Sequence, residues 1–202
     1  QRDCEVELIE IQGLGLYADL NFALSKLTTE YFMLLHSGDV LNTEQLSDSV
    51  SIIKEKRPDI ILCGISIRKA CHKKAVFYRS IEWIPPALRW FERFPYLYPH
   101  TGIILSTEFA TAIGPYRTDL GYASDLDWMI RLSRKANVAS LTTINKSIVI
   151  MAPGGLSGRF ISRLLFNPLL DWKILGIHYR IPILHLFLKR LLKLLVLRIR
   201  IQ

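Results

Sequence analysis

Cysteine is scarce and unpatterned. The 202-residue chain has three, Cys4, Cys63 and Cys71, with no zinc-ligand or C-x-x-C spacing, and an odd count does not suit a disulfide framework. A reducing compartment is expected. No HExxH, GxSxG or P-loop is present, which removes zincin, hydrolase-elbow and Walker-type chemistry. The glycines of GLGLYADLN (13–21) are not at GxGxxG spacing, so no phosphate loop is implied. No charged-then-apolar leader pattern follows Gln1, so a cleaved secretion signal is not expected. Acid is nearly missing from one end. Segment 159–202 has Asp171 alone against nine Lys/Arg, whereas the charges of 1–158 cancel, so the net +8 sits on a Leu-rich tail. A long charge-free apolar run is lacking too. Residues 183–201 approach spanning length but carry Lys189, Arg190, Lys193, Arg198 and Arg200. Each such charge costs about 2.5–3.5 kcal/mol at a bilayer centre, which disfavours a spanning helix.

What is there describes a folded body. Half of the residues are hydrophobic, which excludes disorder. EVELIEI (5–11) alternates like a short strand. Tyr17, Leu20, Leu24 and Leu27 stand at helical spacing, predicting a helix over 17–28. YFMLLH (31–36) reads as a buried strand. Asn42, with Gln45 in the capping-box place, predicts a helix at 43–56 with Leu46, Val50 and Ile53 on its apolar face, stopped before Pro58. Strands are expected at 59–67, at 75–80 and, as two separate pieces, in VASLTTI and SIVIMA. Residues 86–94 read as a short aromatic helix or loop. Ser106 is placed to cap a helix at 107–113 that Gly114-Pro115 ends, and another helix is expected at 124–136. Alternating strands and helices through 1–151 predict an α/β layer fold with sites at strand ends. The tail suits a basic helical appendage that lies on a membrane interface or packs on protein. Being leucine-rich, without interleaved stacking aromatics, it does not suit nucleic acid.

Two acidic stretches could carry chemistry. In YFMLLHSGDVL a strand ends on Ser37, Gly38 and Asp39. Ser-Gly-Asp is a common turn composition. It would equally present one carboxylate to a hard cation such as Mg²⁺, with Gly38 admitting a close substrate. In SDLDW (124–128), Ser124 can cap a helix with Asp127 at N3, or Asp125 can act as a general base at the mouth of a site. His36 and His100 each stand alone, which more often means a hydrogen-bonded structural histidine.

The order of these pieces resembles the family 2 glycosyltransferases, enzymes of the GT-A fold. Gly15, Leu16, Tyr17 and Asn21 match that family's G-[IL]-Y-x-x-x-N helix, and Glu30, Tyr31, Leu35, Ser37, Gly38 and Asp39 its following strand. His100, Gly114, Tyr116, Asp125, Asp127, Trp128, Arg131 and Leu132 match the later H-T-G and D-x-D-W-x-x-R-L block, and MAPGGLSG is similar to a G-G-[VI]-S segment. The subgroup of bacterial polysaccharide assembly, with an N-S-G-D-like motif, is the nearest in pattern. Ser37 stands where the family has a first acid, and Ser124 where it has Glu.

The resemblance covers about 13–158. It implies a Rossmann-like GT-A mixed sheet flanked by helices, truncated at its N-terminus, over 1–158, followed by the basic amphipathic tail, 159–202. It implies transfer of a sugar, of hexosyl type, from a nucleotide-sugar to an acceptor hydroxyl on a lipid-linked molecule or saccharide, with inversion. Asp125 is then the base, and Asp39 the ligand of a divalent metal, Mg or Mn. Tyr17, Asn21, Ser37 and His100 are expected to line the donor or acceptor pocket, with Gly38 and Asp127 beside them. The expected place is cytoplasmic, peripheral to the inner face of the membrane, with no nucleic-acid partner. The family's first strand–helix–strand unit, which clasps the nucleotide base, has no counterpart here beyond EVELIEI. The alternative is therefore an inactive remnant or a non-catalytic subunit.

Overall fold

The computed structural model describes residues 8–10, 13–69, 76–78, 95, 98, 100–136, 140–151 and 167–199. The elements run α1 (Leu16–Ser25), β1 (Tyr31–Met33), β2 (Val40–Leu41), α2 (Thr43–Lys56), β3 (Ile60–Lys69), β4 (Val76–Tyr78), β5 (Ile103–Ser106), α3 (Thr107–Ile113), α4 (Ser124–Lys135), β6 (Leu141–Met151), α5 (Asn167–His178) and α6 (Pro182–Ile199). The strands form one mixed sheet in the order β1-β5-β3-β6-β2, with β4 paired to β3 beyond this path. β3 and β6 are parallel, while β5 is antiparallel to both β3 and β1.

Strand alternation divides the core between two faces. Ile60 and Leu62 of β3, with Ile103 and Leu105 of β5, pack against Tyr17 of α1, Ile113 of α3 and Trp128, Met129 and Leu132 of α4. Ile61, Cys63 and Ile65 turn to the other face, where Ile104, Ile148 and Val149 meet Leu46, Ile52 and Ile53 of α2. The layers are helix, sheet, helix. Burial pushes the Cys63 thiol up to about 12, so this cysteine is core rather than chemistry. A third cluster joins Leu120, Ala123, Leu126 and Ile130 around α4 to Ile174 and Leu175 of α5.

Most boundaries agree with the periodicity. The helix predicted over 17–28 spans Leu16–Ser25, and α2 ends at Arg57, which takes a left-handed φ of 45° just before Pro58. Ser106 caps α3, its Oγ accepting from the Phe109 amide at 3.1 Å. Four expectations are corrected. Asn42 stands at the N-cap of α2 but its side chain makes no cap bond; its carbonyl accepts from Leu46 and its amide donates to Ile148. On α2, Val50 is exposed and Ile52 packs in its stead. YFMLLH contributes only three residues to the ladder, because Leu34 to His36 leave the sheet edge. VASLTTI and SIVIMA are not two strands; 141–151 is one strand, β6, with a bulge between them. EVELIEI falls largely outside the described residues, as does 86–94.

The bulge explains the misreading. Polar Asn145-Lys146 looks like a turn, but the register slips there instead, with Cys63 opposite Ile144 and Gly64 opposite Ser147. Gly64 makes room for it. A Cβ at this position would stand 2.7 Å from the Lys146 carbonyl oxygen, a backbone atom. Gly64→Ala is expected to cost about 1–3 kcal/mol through overpacking of the central strand pair. The check is a lowered denaturant midpoint at an unchanged m-value.

Candidate functional site

Topology gathers the expected residues at one end of the sheet. β1 and β2 are its opposite edges, so residues 34–39 must cross the sheet end between them. They do so at the carboxyl ends of β1, β3 and β6, the usual location of sites in α/β sheets. The chain enters β5 at the same end through a 3-10 turn, His100–Gly102. α1 and α4, which run back toward β1 and β6, begin there too. Tyr17 and Asp125, in the first turns of these helices, thereby face the crossing segment.

The crossing closes in a turn, with the Asp39 amide donating to the His36 carbonyl at 3.0 Å and Gly38 taking φ +85°. That conformation is strained for any side-chain-bearing residue, which gives Gly38 a structural reason to be glycine. Ser37 and Gly38 are exposed. His36 and His100 are not solitary. Their Nε2 atoms are 3.2 Å apart and the rings meet edge to face, so one ring donates and the other accepts. The far nitrogen of His100, Nδ1, lies 3.9 Å from Asp125 Oδ2. The Asp125 side chain is 41% exposed, against 12% for His100. Burial lowers the His100 pKa; Asp125 and Asp39 oppose this and His36 adds to it. His100 is therefore a neutral imidazole at neutral pH, beside an accessible carboxylate. Asp125 Oδ1 accepts from the Leu126 amide at 2.7 Å, which orients the group.

Behind this array stands an aromatic wall. Tyr116 stacks on Trp128 at 4.7 Å between centroids and meets Tyr17 at 5.6 Å. Burial, then the charge of Asp125, raises the phenol pKa of both tyrosines. Asn21 supports the wall. Its amide donates to the Tyr116 carbonyl at 2.8 Å and its Oδ1 accepts from the Tyr116 amide at 2.7 Å. A cleft of about 180 Å³ opens beside Tyr17, between the start of α1 and Thr118 and Gly121. Alone it is smaller than an ordinary ligand site of about 300–1,000 Å³.

Asp127 does not join the others. The expected cap is absent: Ala123 holds the N-cap place, and Ser124 Oγ donates to the Gly121 carbonyl at 2.9 Å. The Asp127 carboxylate is buried, with Oδ1 2.7 Å from His178 Nε2 and Oδ2 accepting from Arg131 Nε at 2.9 Å. Burial pushes this carboxyl up, but the hydrogen bonds and charges of His178 and Arg131 outweigh it and hold it below the usual range. Arg131 also donates to the carbonyls of Ile113 and Pro115. Arg134 completes the cluster, its Nη1 3.1 Å from His178 Nδ1 and its Nη2 donating to the His178 carbonyl. Asp127 is thus a fastener between α4 and α5. Sequence spacing could not find His178, 51 positions away.

A divalent cation is tested by its donor set. Among the described residues no group of three His, Cys, Asp or Glu side chains could hold a metal ion. A self-sufficient protein cage does not fit. A single carboxylate, Asp39, does suit Mg²⁺ or Mn²⁺ that takes its remaining ligands from a diphosphate and water.

No family model matches the chain, and no curated protein does. Solved structures do. S. aureus TarS 1-349 aligns with TM-score 0.60 at 18% identity, over 84% of this chain and 45% of that one. TarS 1-349 in complex with UDP-GlcNAc aligns with TM-score 0.61 at 19% identity, over 81% and 45%. Its complex with UDP gives 0.55 at 18%, over 77% and 41%. The fold is glycosyltransferase-like. This agrees with the mixed, helix-flanked α/β sheet expected from the motifs. The chain spans less than half the length of these solved structures.

Proposed function

We propose that the protein is a nucleotide-sugar-dependent glycosyltransferase of hexosyl type, acting with inversion on an acceptor hydroxyl. The observation that carries the reading is the convergence of Asp125, His100 and Asp39, from three separate segments, at the carboxyl end of a glycosyltransferase-like sheet. Asp125 takes the acceptor hydroxyl proton. The acceptor oxygen bonds the anomeric carbon on one face while the bond to the diphosphate oxygen breaks on the other, and the nucleoside diphosphate leaves with the electron pair. Neutral His100 matters to this step. A protonated ring 3.9 Å from Oδ2 would pair with Asp125 and lower its basicity. The cleft beside Tyr17 offers room for part of the donor, with the buried Tyr116 and Trp128 rings holding Tyr17 in place from behind. A divalent cation held by Asp39 would neutralise charge on the leaving diphosphate. The complexes of the solved relatives suggest a UDP-linked N-acetylhexosamine as the first donor to try. The acceptor proposed is a lipid-linked or polysaccharide hydroxyl.

A second reading, a non-catalytic subunit or inactive remnant, is favoured by one fact, the coverage of under half of the related structures. Calorimetry with UDP and Mn²⁺ separates the two. Metal-dependent binding is expected, and Asp39→Asn is expected to weaken it at least ~10-fold by removing the charged ligand. Absence of UDP binding with and without Mn²⁺ leaves the remnant reading standing.

A further inference from the structure

We infer that the outer face of the α5–α6 pair docks on an anionic lipid–water interface. Both helices are apolar on two sides. Inward, Ile174 and Leu175 of α5 and Leu186 of α6 belong to the cluster packed on α4. Outward, Leu169, Trp172 and Ile177 of α5 are exposed, and so are Ile183, Phe187 and Leu191 of α6, with Ile183 at 70% and Phe187 at 64%. Their spacings, i, i+3 and i+8 on α5 and i, i+4 and i+8 on α6, make one stripe on each helix. An apolar stripe on the side away from the core marks an interaction surface, to be covered by protein or by lipid. No helix among the described residues is long and apolar enough to cross a membrane, so the geometry is that of a helix lying in the interface.

Charge selects the occupant. Lys173 of α5, Arg180 in the turn between the two helices and Arg190 of α6 are exposed. Asp171, the one acid of 159–202, is buried against Lys189 at 2.7 Å and is lost to the surface. Asp119 approaches Lys173 from the body, which leaves Arg180 and Arg190 as exposed cations without a carboxylate partner on this pair, among the described side chains. A two-fold contact with a second copy would gather the uncompensated arginines of both copies into one apolar interface, a like-charge cost. Anionic headgroups meet them favourably while the acyl boundary takes Trp172 and Phe187. The inference does not depend on the catalytic reading, and lipid binding is measured without turnover.

The full chain is mixed with phosphatidylcholine vesicles, with or without phosphatidylglycerol, and sedimented. Binding to the anionic vesicles is expected to be at least ~10-fold tighter than to the neutral ones. Ile183→Ser with Phe187→Ser is expected to lower it at least ~10-fold. Arg180→Gln with Arg190→Gln is expected to remove the anionic preference. Should a serine variant fold poorly by circular dichroism, brominated lipid gives the second reading. It should quench the fluorescence of the unaltered chain, and Trp172→Phe should remove most of that quenching. Equal binding to both vesicles, binding unaffected by the variants, or no binding overturns the inference. So does a dimer in solution that Phe187→Ser dissociates, because the stripe is then covered by a second copy.

Discussion

Asp125→Asn is expected to lower sugar transfer by about 10²–10⁴-fold, the usual contribution of a positioned general base. The substitution is nearly isosteric, and the Asn carbonyl can still accept from the Leu126 amide. The Tyr17–Tyr116–Trp128 wall does not depend on the charge. UDP binding and the melting temperature are therefore expected to stay as they are, while the initial rate with a nucleotide-sugar panel falls. A variant that turns over as fast as the parent chain removes Asp125 from the mechanism. Acid should reproduce the loss. As pH falls, His100 becomes protonated at a pH below its ordinary value, and its charge then holds Asp125 in a pair.

Asp127→Ala is expected to cost on the order of 3 kcal/mol of folding stability, the range for breaking a buried charge pair. The loss falls on two elements together, since the carboxylate joins Arg131 of α4 to His178 of α5. Chemical denaturation should show the lowered midpoint. The pH dependence identifies the cause. The folded-state pKa of Asp127 lies below its unfolded value, so the unfolded chain binds the extra proton. Its contribution is fully present above the unfolded value of about 3.9 and is lost as pH falls through the lower folded one. Stability of the parent chain should drop across that acid window more steeply than that of Asp127→Ala. Parallel curves would mean that the carboxylate is not charged in the folded protein.

The helices and the sheet were legible because their signals are local. Tyr17, Leu20 and Leu24 repeat at helical spacing, and Ser106 bonds an amide three residues on. The meeting of Asp39, His100 and Asp125 followed from the order of motif blocks, since strand ends converge wherever the sheet is α/β. What escaped was tertiary. His36 and His100 read as two isolated histidines because a pair 64 positions apart has no spacing rule. Ser124 and Asp127 fit the pattern of a helix cap. His178 and Arg131 offered the carboxylate better partners than a helix amide, and cap propensity is worth only about 1 kcal/mol. Asn145-Lys146 looked like a turn because Gly64, far away in the chain, is what admits a bulge there. Asn21 matched a motif, but only the fold reveals that its side chain bonds the Tyr116 backbone, 95 positions away.

The strand order also sets how the chain must be made. Along β1-β5-β3-β6-β2 no two neighbours are consecutive in sequence. Loop-closure entropy is therefore lost before any strand on that path gains a partner, a topology that folds slowly. During synthesis β1 waits for β5, and β2 waits for Val149 and Ile150 of β6. Until Met151 has left the ribosome, the edge that β3 shares with β6 stands open, although the helices that cover its two faces have already been made. The nascent chain is thus most exposed to aggregation, and most dependent on chaperones, just before its last strand arrives.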